Sequence, residues 1–384
     1  MPNIAIFIPG VGGLSGGGGA ERFFLDFFQK YQLQCTANKL YFITDTGSIK
    51  NFRSLNEFSF NKRLLTYRLH HNRFKEKLEF LEILKILIQH GIDIIQIPLY
   101  NIHLYNLIKR IDSLPKIFRP KIVLNITDSR IPYYYFEGVK YGLNYKKTYE
   151  PVFNNIKVDG VISWYKLFEK FVQENNLIKS NPSIFCINSR YSGKLINPRK
   201  KKENLIVYAA RFVHVKRPLF FIEAINILNT QKFNFRNWKF KMYGKGDLDK
   251  KVSEAIVNYD LQELIEVDSN SEMVPVFEES KCFVSTQDFE NFPSLSMNEA
   301  MAAGNVIIAR DVGQTNLFVK DSLNGILLKS DNPTGLAKAI KWFINNPSKH
   351  SDMAYESVKL TTQVHNFENF KLQMNFIWDQ ILNN

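Results

Sequence analysis

The segment CFVSTQDFENFPSLSMNEAMAAGNVIIA, residues 282–309, contains a complete strand–loop–helix–strand pattern. Its two apolar runs, Cys282 to Ser285 and Val306 to Ala309, are typical of buried parallel strands, and the second is rich in β-branched residues. A polar loop and a short helix, which Gly304 ends, lie between them. This unit predicts a doubly wound α/β architecture, in which ligands bind beyond the carboxyl ends of the strands.

The same alternation extends over most of the 384 residues. The predicted strands are 4–9, 40–44, 92–97, 121–126, 161–163 and 184–187 in the first half, and 205–209, 240–243, 264–267, 282–285, 306–309 and 325–328 in the second. The clearest predicted helices are 20–31, 73–90 and 167–176. We predict two doubly wound domains that face each other across a central cleft.

The predicted domain boundaries follow from a break in this periodicity. Residues 189–204 are polar and basic, and we interpret them as a linker between a domain at 1–188 and a second domain at 205–362. Residues 363–384 are predicted to form a C-terminal helix that packs back on the first domain.

Composition excludes several classes of protein. Three widely spaced cysteines cannot form a full disulfide framework. A membrane-spanning helix needs an apolar stretch of about 18 residues, and no stretch of the sequence is that long. We therefore expect a cytoplasmic protein. The net charge of +13 predicts attraction to polyanions, but the charge is dispersed and no recognition motif accompanies it, so a nucleic-acid partner is not expected.

One basic segment stands out at residues 61–77. It carries six Lys or Arg, one acidic residue and interleaved Leu, Tyr and Phe. Two interpretations are equally open, a peripheral contact with an anionic membrane and a solvated helical face.

A glycine-rich loop, residues 9–22, joins the first predicted strand to the first helix. Its glycines would let backbone amides approach a phosphate or a sugar. Ser15 stands where a dinucleotide fingerprint needs glycine, and the Gly-Lys pair of a Walker loop is missing. The alternative is a flexible turn without a ligand.

Two cations follow the first strand of the second domain. Arg211 lies at its carboxyl end, and Lys216 lies just ahead of a helix that begins near Pro218. Arg and Lys together could bind a diphosphate without a metal, whereas the alternative is a solvated basic turn. The next strand leads into Gly244 and Gly246, with Asp247 as the expected helix cap.

Two carboxylates, Glu290 and Glu299, are expected at the same edge of the sheet. A carboxylate there could accept hydrogen bonds from vicinal hydroxyls of a ribose or hexose. Ser296 with Glu299 three residues later also fits a capping box, in which the carboxylate satisfies backbone amides. Both interpretations can hold together.

Taken jointly, these motifs resemble the retaining GT-B glycosyltransferases of family 4, the glycosyl transferases group 1, which include glycogen synthases and many bacterial surface-polysaccharide transferases. The resemblance covers nearly the whole chain and is strongest from Leu205 to Leu328. It implies a GT-B fold, with two Rossmann-like domains, an acceptor side in the first and a nucleotide-sugar site in the second.

The resemblance also implies residue roles. Arg211 and Lys216 would bind the donor diphosphate, Glu299 the ribose, and Glu290 with the 291–293 backbone the transferred sugar. The catalytic set so implied is Arg211, Lys216 and Glu290, and the donor-binding set is Gly12, Gly13, Gly244, Gly246, Asn291, Phe292, Pro293 and Glu299.

Three departures from the family accompany these roles. Eight residues separate Glu290 from Glu299 where the family has seven, Ala210 replaces a common glycine, and Thr127-Asp128 stands on the acceptor side where many members have His-Asp.

The expected function is therefore retaining transfer of a hexosyl or N-acetylhexosaminyl group from a nucleotide-diphosphate-sugar to a growing bacterial glycan. Lipopolysaccharide, lipooligosaccharide and capsule are the candidate products, and the acceptor would be a glycan or lipid-linked. No cofactor or metal is expected, and residues 61–77 would contact the inner face of the plasma membrane. A sugar-nucleotide epimerase and a noncatalytic glycan-binding protein of the same fold remain the alternatives.

Overall fold

The computed structural model describes residues 1–9, 19–34, 38–51, 62–68, 75–140, 142–269 and 272–384. The chain divides into two compact units. The first comprises Met1–Ile187 together with Lys371–Asn384, and the second comprises Asn188–Phe370. Gly12, Gly13 and part of the segment 61–77 lie outside the described residues.

The first unit is built on a parallel sheet with the strand order β3-β2-β1-β4-β5-β8-β9. These strands are β1 (Asn3–Phe7), β2 (Lys39–Asp45), β3 (Leu64–Tyr67), β4 (Ile94–Ile97), β5 (Lys121–Ile126), β8 (Gly160–Ser163) and β9 (Ser183–Cys186). A separate antiparallel ribbon consists of β6 (Val139–Lys140) and β7 (Leu143–Asn144). Because β1 pairs with both β2 and β4, the strand order reverses between β1 and β4.

Helices connect these strands. They are α1 (Gly19–Gln32), α2 (Thr46–Asn51), α3 (Lys75–Gln89), α4 (Tyr105–Asp112), α5 (Ile131–Tyr134), α6 (Tyr145–Asn155) and α7 (Lys166–Asn175), with a short 3-10 turn at Ile102–Leu104. In α1, Phe24, Phe27 and Phe28 are fully buried, as expected of the apolar stripe of an amphipathic helix.

The C-terminal segment completes the core of the first unit. Trp378 is fully buried and its indole Nε1 donates to Oε1 of Gln96 on β4 at 2.8 Å. A Cβ at Gly160 would lie 2.6 Å from Cδ1 of Ile381, so a larger residue there would require the end of the Ile381 side chain to move. The large rings of Phe27 and Tyr31 also lie against Trp378.

The second unit has a parallel sheet with the order β12-β11-β10-β13-β14-β15. Its strands are β10 (Leu205–Ala209), β11 (Lys239–Tyr243), β12 (Ile265–Asp268), β13 (Cys282–Ser285), β14 (Val306–Arg310) and β15 (Gly325–Leu328). Its helices are α8 (Pro218–Thr230), α9 (Asp249–Asn258), α10 (Met273–Glu279), α11 (Leu295–Ala302), α12 (Pro333–Asn345), α13 (His350–Gln363) and α14 (Phe367–Asn383), which continues into the first unit. Short 3-10 turns occupy His214–Lys216, Thr315–Leu317 and Pro347–Lys349.

The core of the second unit lies between this sheet and the helices that cover it. Phe221 and Phe343 on the helices and Phe240 and Ile308 on the strands are fully buried. Such near-continuous apolar strands are what a parallel sheet covered on both faces requires.

The strand orders confirm the predicted doubly wound class. Of the two interpretations left open for the segment 61–77, the solvated helical face is wrong at residues 64–67. These residues form the edge strand β3 and pair with β2. Leu64 and Tyr67 are buried. Of the helices described, none has the combination of length and apolar character that crossing a bilayer requires.

Candidate active site

The strand order of the second unit reverses between β10 and β13, which pair directly. Their carboxyl ends lead into the loops 210–217 and 286–294. A crevice at such a switch point is where open parallel sheets bind their ligands. The predicted residues Arg211, Lys216 and Glu290 all lie on these two loops.

The loop after β10 presents its two cations differently. Arg211 is exposed, and among the described residues none forms a hydrogen bond or ion pair with its guanidinium. Lys216 is half-buried, and its Nζ donates to Oε1 of Gln287. The Lys216 carbonyl accepts from the Tyr208 hydroxyl at 2.9 Å and from Thr286 Oγ1 at 2.8 Å, so the loop is fixed to β10 and to the segment after β13.

Gly244 and Gly246 allow this loop to lie close to the end of β11. A Cβ at Gly244 would be 2.1 Å from the Ala210 carbonyl oxygen, and one at Gly246 would be 2.5 Å from that of Phe212. A side chain at either glycine would displace the backbone of Ala210 or Phe212, which flank Arg211. Both glycines therefore help to position Arg211.

The expected helix cap at Asp247 is wrong. Helix α9 begins at Asp249, whose Oδ1 accepts from the Gly246 amide at 2.7 Å. The side chain that satisfies the free amide thus lies two residues further along the chain than the sequence pattern indicated.

Glu299 is buried on α11, but it does not cap that helix. Ser294 is the N-cap, and its Oγ accepts from the Met297 amide at 3.3 Å, so the predicted capping box with Ser296 is wrong. Glu299 Oε1 instead accepts from Ser192 Oγ at 3.3 Å. Burial raises the pKa of Glu299, although the Lys194 charge and the Ser192 hydrogen bond oppose this.

Glu290 is held by backbone amides. Both of its carboxylate oxygens lie 2.8 Å from the Gln314 nitrogen, and Oε1 also accepts from the Phe292 amide at 2.9 Å. A Cβ at Gly313, where φ is +54°, would lie 2.2 Å from Oε2. Burial raises the pKa of Glu290 to about 7 against the lowering effect of these amides.

The Asn291 side chain is a buried connection between loops. Its Oδ1 accepts from Ser285 Oγ and from Gln287 Nε2, and its Nδ2 donates to the Arg310 carbonyl and to Thr315 Oγ1. All four hydrogen-bonding positions of the amide are filled. Only the backbone of Asn291 is left for a ligand.

Phe292 is also turned inward. Its ring is 1% exposed and lies 5.0 Å from that of Phe318. For this residue too, a ligand contact would come through the backbone.

Sequence reasoning missed the buried network around Gln287 and Asn291. Gln287 joins Lys216 to Asn291, and the partners of Asn291 extend to Thr315, 24 residues away. It also missed Ser192, which lies in the predicted linker. The polar run at 189–193 was the only sequence signal for that contact.

Two arginines at this edge, Arg217 and Arg310, are already paired with carboxylates. Asp288 Oδ1 lies 3.2 Å from Arg217 Nη1 and 3.0 Å from Arg310 Nη1. Arg310 and Arg217 also form ion pairs with Asp331. The network distinguishes these cations from Arg211, which none of the described carboxylates pairs with.

The predicted acceptor-side residues lie in the first unit, after β5. The Thr127 carbonyl accepts from the Tyr165 hydroxyl at 2.9 Å. The carboxylate of Asp128 accepts from Arg130 Nε at 2.9 Å and Nη2 at 2.7 Å, and from the Tyr145 hydroxyl at 3.0 Å. Burial favours a higher pKa for Asp128, but the Arg130 and Tyr145 contacts outweigh it and lower the pKa.

The second unit resembles a known family. Residues 194–359 match the sequence model of the family described as Glycosyl transferases group 1. The match covers less than half of the chain and lies within the second unit. Arg211, Lys216, Glu290 and Glu299 all lie within the matched residues.

Two curated relatives resemble parts of the chain. An uncharacterized glycosyltransferase of Methanocaldococcus jannaschii is 30% identical over 145 residues, which are 37% of this chain and 39% of the relative. The Campylobacter jejuni GalNAc-α-(1→4)-GalNAc-α-(1→3)-diNAcBac-PP-undecaprenol α-1,4-N-acetyl-D-galactosaminyltransferase is 23% identical over 190 residues, 48% of this chain and 49% of the relative. The chain thus spans less than half the length of each.

The fold is shared more widely. The structure of Anabaena HepE in complex with UDP-glucose superposes with a TM-score of 0.71 at 13% identity, over 97% of this chain and 99% of HepE. The likeness covers both units. Together with the two parallel sheets, it establishes the GT-B fold.

Proposed function

We propose that this protein is a retaining glycosyltransferase that moves a hexosyl or N-acetylhexosaminyl group from a nucleotide-diphosphate-sugar to a growing bacterial surface glycan. The observation that carries the proposal is the Arg211 guanidinium, exposed at the switch point of the unit that resembles the group 1 family and unmatched by any described carboxylate. Lys216 on the same fixed loop supplies the second cation. The negative charge of a diphosphate complements these two cations.

The chemistry needed from these cations is stabilisation of the leaving group. When the bond between the sugar C1 and the diphosphate oxygen breaks, that oxygen gains negative charge. Preorganised cations at Arg211 and Lys216 favour this state over the intact donor. The Arg211 guanidinium can donate hydrogen bonds to two phosphate oxygens at once. No metal is required in this scheme.

The buried carboxylate of Glu299 and the half-buried carboxylate of Glu290 suit the polar groups of the donor. Glu299 accepts from the ribose hydroxyls in the proposal, and Glu290 with the 291–293 backbone contacts the transferred sugar. With a pKa of about 7, Glu290 is partly protonated near neutral pH. It can then donate a hydrogen bond to a sugar hydroxyl as well as accept one.

The acceptor side is assigned to the first unit, near Thr127 and Asp128. In the proposed front-face reaction the leaving phosphate itself takes the proton of the acceptor hydroxyl, so threonine can replace a histidine here. The Campylobacter relative, named for an undecaprenol-linked glycan, supports a lipid-linked acceptor. A cytoplasmic location, with residues 61–77 at the inner face of the membrane, belongs to the same proposal.

The decisive experiment screens UDP- and GDP-sugars for ligand-induced thermal stabilisation, because a ligand bound only to the folded state raises Tm. The best donor is then used to measure hydrolysis and transfer. Arg211→Ala should lower kcat/KM by ~10²–10³-fold with the Tm of the free protein unchanged. Arg199→Ala, which removes another exposed arginine of the second unit, is the matched control and should behave like wild type.

Product analysis separates the alternatives. A glycoside with retained configuration supports the transferase, whereas an epimerised sugar would identify an epimerase. Glycan binding with no turnover of any donor would identify a binding protein. Wild-type activity in Arg211→Ala would remove the basis of the proposal.

A further inference from the structure

Two buried amide side chains lie between the parts of the proposed donor site. Gln287 is 7% exposed and Asn291 is 1% exposed. On one side of the pair lies Lys216, whose Nζ donates to Oε1 of Gln287. On the other side lies the turn 312–315, which Asn291 reaches by donating to Thr315 Oγ1 at 2.8 Å. The proposed donor chemistry uses neither amide side chain.

A backbone carbonyl fixes the orientation of both amides. The Arg310 carbonyl can only accept, so Nδ2 of Asn291 must face it, at 3.1 Å. Oδ1 of Asn291 therefore faces Gln287 and accepts from Nε2 at 2.8 Å. This leaves Oε1 of Gln287 as the acceptor for the Lys216 ammonium. The hydrogen-bond network thus determines which end of each amide faces which partner.

The same network reaches the carboxylate of Glu290. Thr315 Oγ1, at the far end of the amide pair, donates to the Val312 carbonyl at 2.5 Å. Between these two residues lies Gln314, whose backbone amide lies 2.8 Å from both carboxylate oxygens of Glu290. One hydrogen-bonded assembly therefore connects the Lys216 ammonium with the turn that holds Glu290.

The loop that carries Gln287 does not depend on the Gln287 side chain for its position. The Asp288 amide donates to the Val215 carbonyl at 3.0 Å, and Thr286 Oγ1 donates to the Lys216 carbonyl at 2.8 Å. These two bonds already hold the loops after β10 and β13 together. The Gln287 amide has a different effect, because it holds the charged end of a long and flexible lysine side chain.

We propose that Gln287 is a positioning residue, which holds the Lys216 ammonium where the donor diphosphate binds. This inference rests on the proposed function, because it needs a diphosphate at Lys216. A lysine side chain that moves freely must be ordered when its ligand binds, which costs conformational entropy. Gln287 orders the side chain during folding instead. A cation ordered in advance needs no reorganisation as charge develops on the leaving group.

The test is a double-mutant cycle in which titration calorimetry measures the Kd of UDP, GDP and ADP. The four proteins are wild type, Gln287→Met, Lys216→Met and the double variant. Met fills nearly the same space as Gln but forms none of its hydrogen bonds. Asn291 Oδ1 keeps Ser285 Oγ as a donor at 2.5 Å, so we expect Gln287→Met to fold.

The expected result is a loss of affinity that depends on Lys216. For the nucleotide that wild type binds best, Gln287→Met should weaken binding by about tenfold. In the Lys216→Met background the same change should weaken binding by less than about twofold, because no ammonium remains to be positioned. A merely structural role for Gln287 predicts equal losses in both backgrounds.

The matched control is Gln262→Met, which changes an exposed glutamine of the second unit and should bind like wild type. Thermal unfolding verifies that each variant is folded, and Gln287→Ala, which only removes atoms, repeats the cycle if Gln287→Met does not fold. Equal losses in the two backgrounds, or no loss in the wild-type background, would overturn this inference and leave the proposed function standing. If wild type binds none of the three nucleotides, both are overturned.

Discussion

The carboxyl edges of the two sheets differ in whether their key charged side chains have partners. In the first unit Asp128 is matched by Arg130 and Tyr145, and its pKa is lowered. In the second unit Arg211 is exposed and unmatched by any described carboxylate, and Glu290 is half-buried with a pKa raised to about 7. The desolvated Glu290 carboxylate costs free energy when it ionises, whereas the exposed Arg211 guanidinium stays hydrated and is available to a ligand. The second edge is the one prepared for a ligand.

The largest expected effect comes from removing the second cation. Lys216→Met should lower kcat/KM for transfer by ~10²–10³-fold, about 3–4 kcal/mol of transition-state stabilisation. The measurement is steady-state kinetics with the donor found by thermal screening. Lys251→Met, an exposed lysine on α9, is the control. Equal activity in Lys216→Met and wild type would mean that this edge holds no diphosphate.

The raised pKa of Glu290 predicts a pH-dependent loss of stability. A carboxyl whose folded pKa is raised contributes stability that is present below its unfolded pKa, 4.5, and is lost as pH rises through about 7. Glu290→Gln removes this dependence and keeps an oxygen for the Phe292 and Gln314 amides. By pH 8 the variant should therefore be more stable than wild type by roughly 1–3 kcal/mol.

Urea denaturation at pH 5, 6, 7 and 8 measures this difference for Glu290→Gln. Other titrating groups cancel because both proteins carry them. A stability difference that stays constant from pH 5 to 8 would show that Glu290 ionises normally in the folded protein.

A smaller effect of opposite sign is expected in the first unit. The lowered pKa of Asp128 means that its contribution to stability is present above the unfolded value of 3.8 and is lost as pH falls through the folded pKa. Asp128→Asn should therefore destabilise the protein by roughly 1–2 kcal/mol at pH 7. The deficit should shrink below pH 3.8, where wild-type Asp128 also becomes protonated.

Urea denaturation at pH 7 and pH 3 tests this, with the exposed Asp247→Asn as the control. Kinetics sharpen the comparison. If Asp128→Asn lowers kcat more than tenfold while stability holds, Asp128 acts on the acceptor and the first edge is functional as well.

The fold was largely predictable because a buried parallel strand appears in the sequence as a short, continuous run of apolar residues. Every run predicted from 205–209 to 325–328 overlaps a strand of the second sheet. Three of the described strands were missed, β3 and the two short strands β6 and β7 of the ribbon. Strand β3, Leu64–Tyr67, lies at the sheet edge, where only Leu64 and Tyr67 are buried. Its four residues sit among lysines and arginines that obscured the apolar pattern.

The candidate site was predictable only as a set of residue types. Which oxygen meets which amide depends on chain segments that are far apart in sequence, as for Glu290 and Gln314. Both cap predictions failed: Ser294 caps α11 instead of Ser296, and the N-cap of α9 is Leu248, whose side chain cannot cap, so Asp247 does not fill that role. Local patterns do not fix the residue at which a helix begins.

The contribution of Trp378 and Ile381 makes the first unit discontinuous in sequence, whereas the second unit runs without interruption from Asn188 to Phe370. Trp378 and its partner Gln96 are 282 positions apart, so forming the first core requires closure of a very long loop, which costs conformational entropy and slows folding. We therefore expect the second unit to acquire its native core before the first.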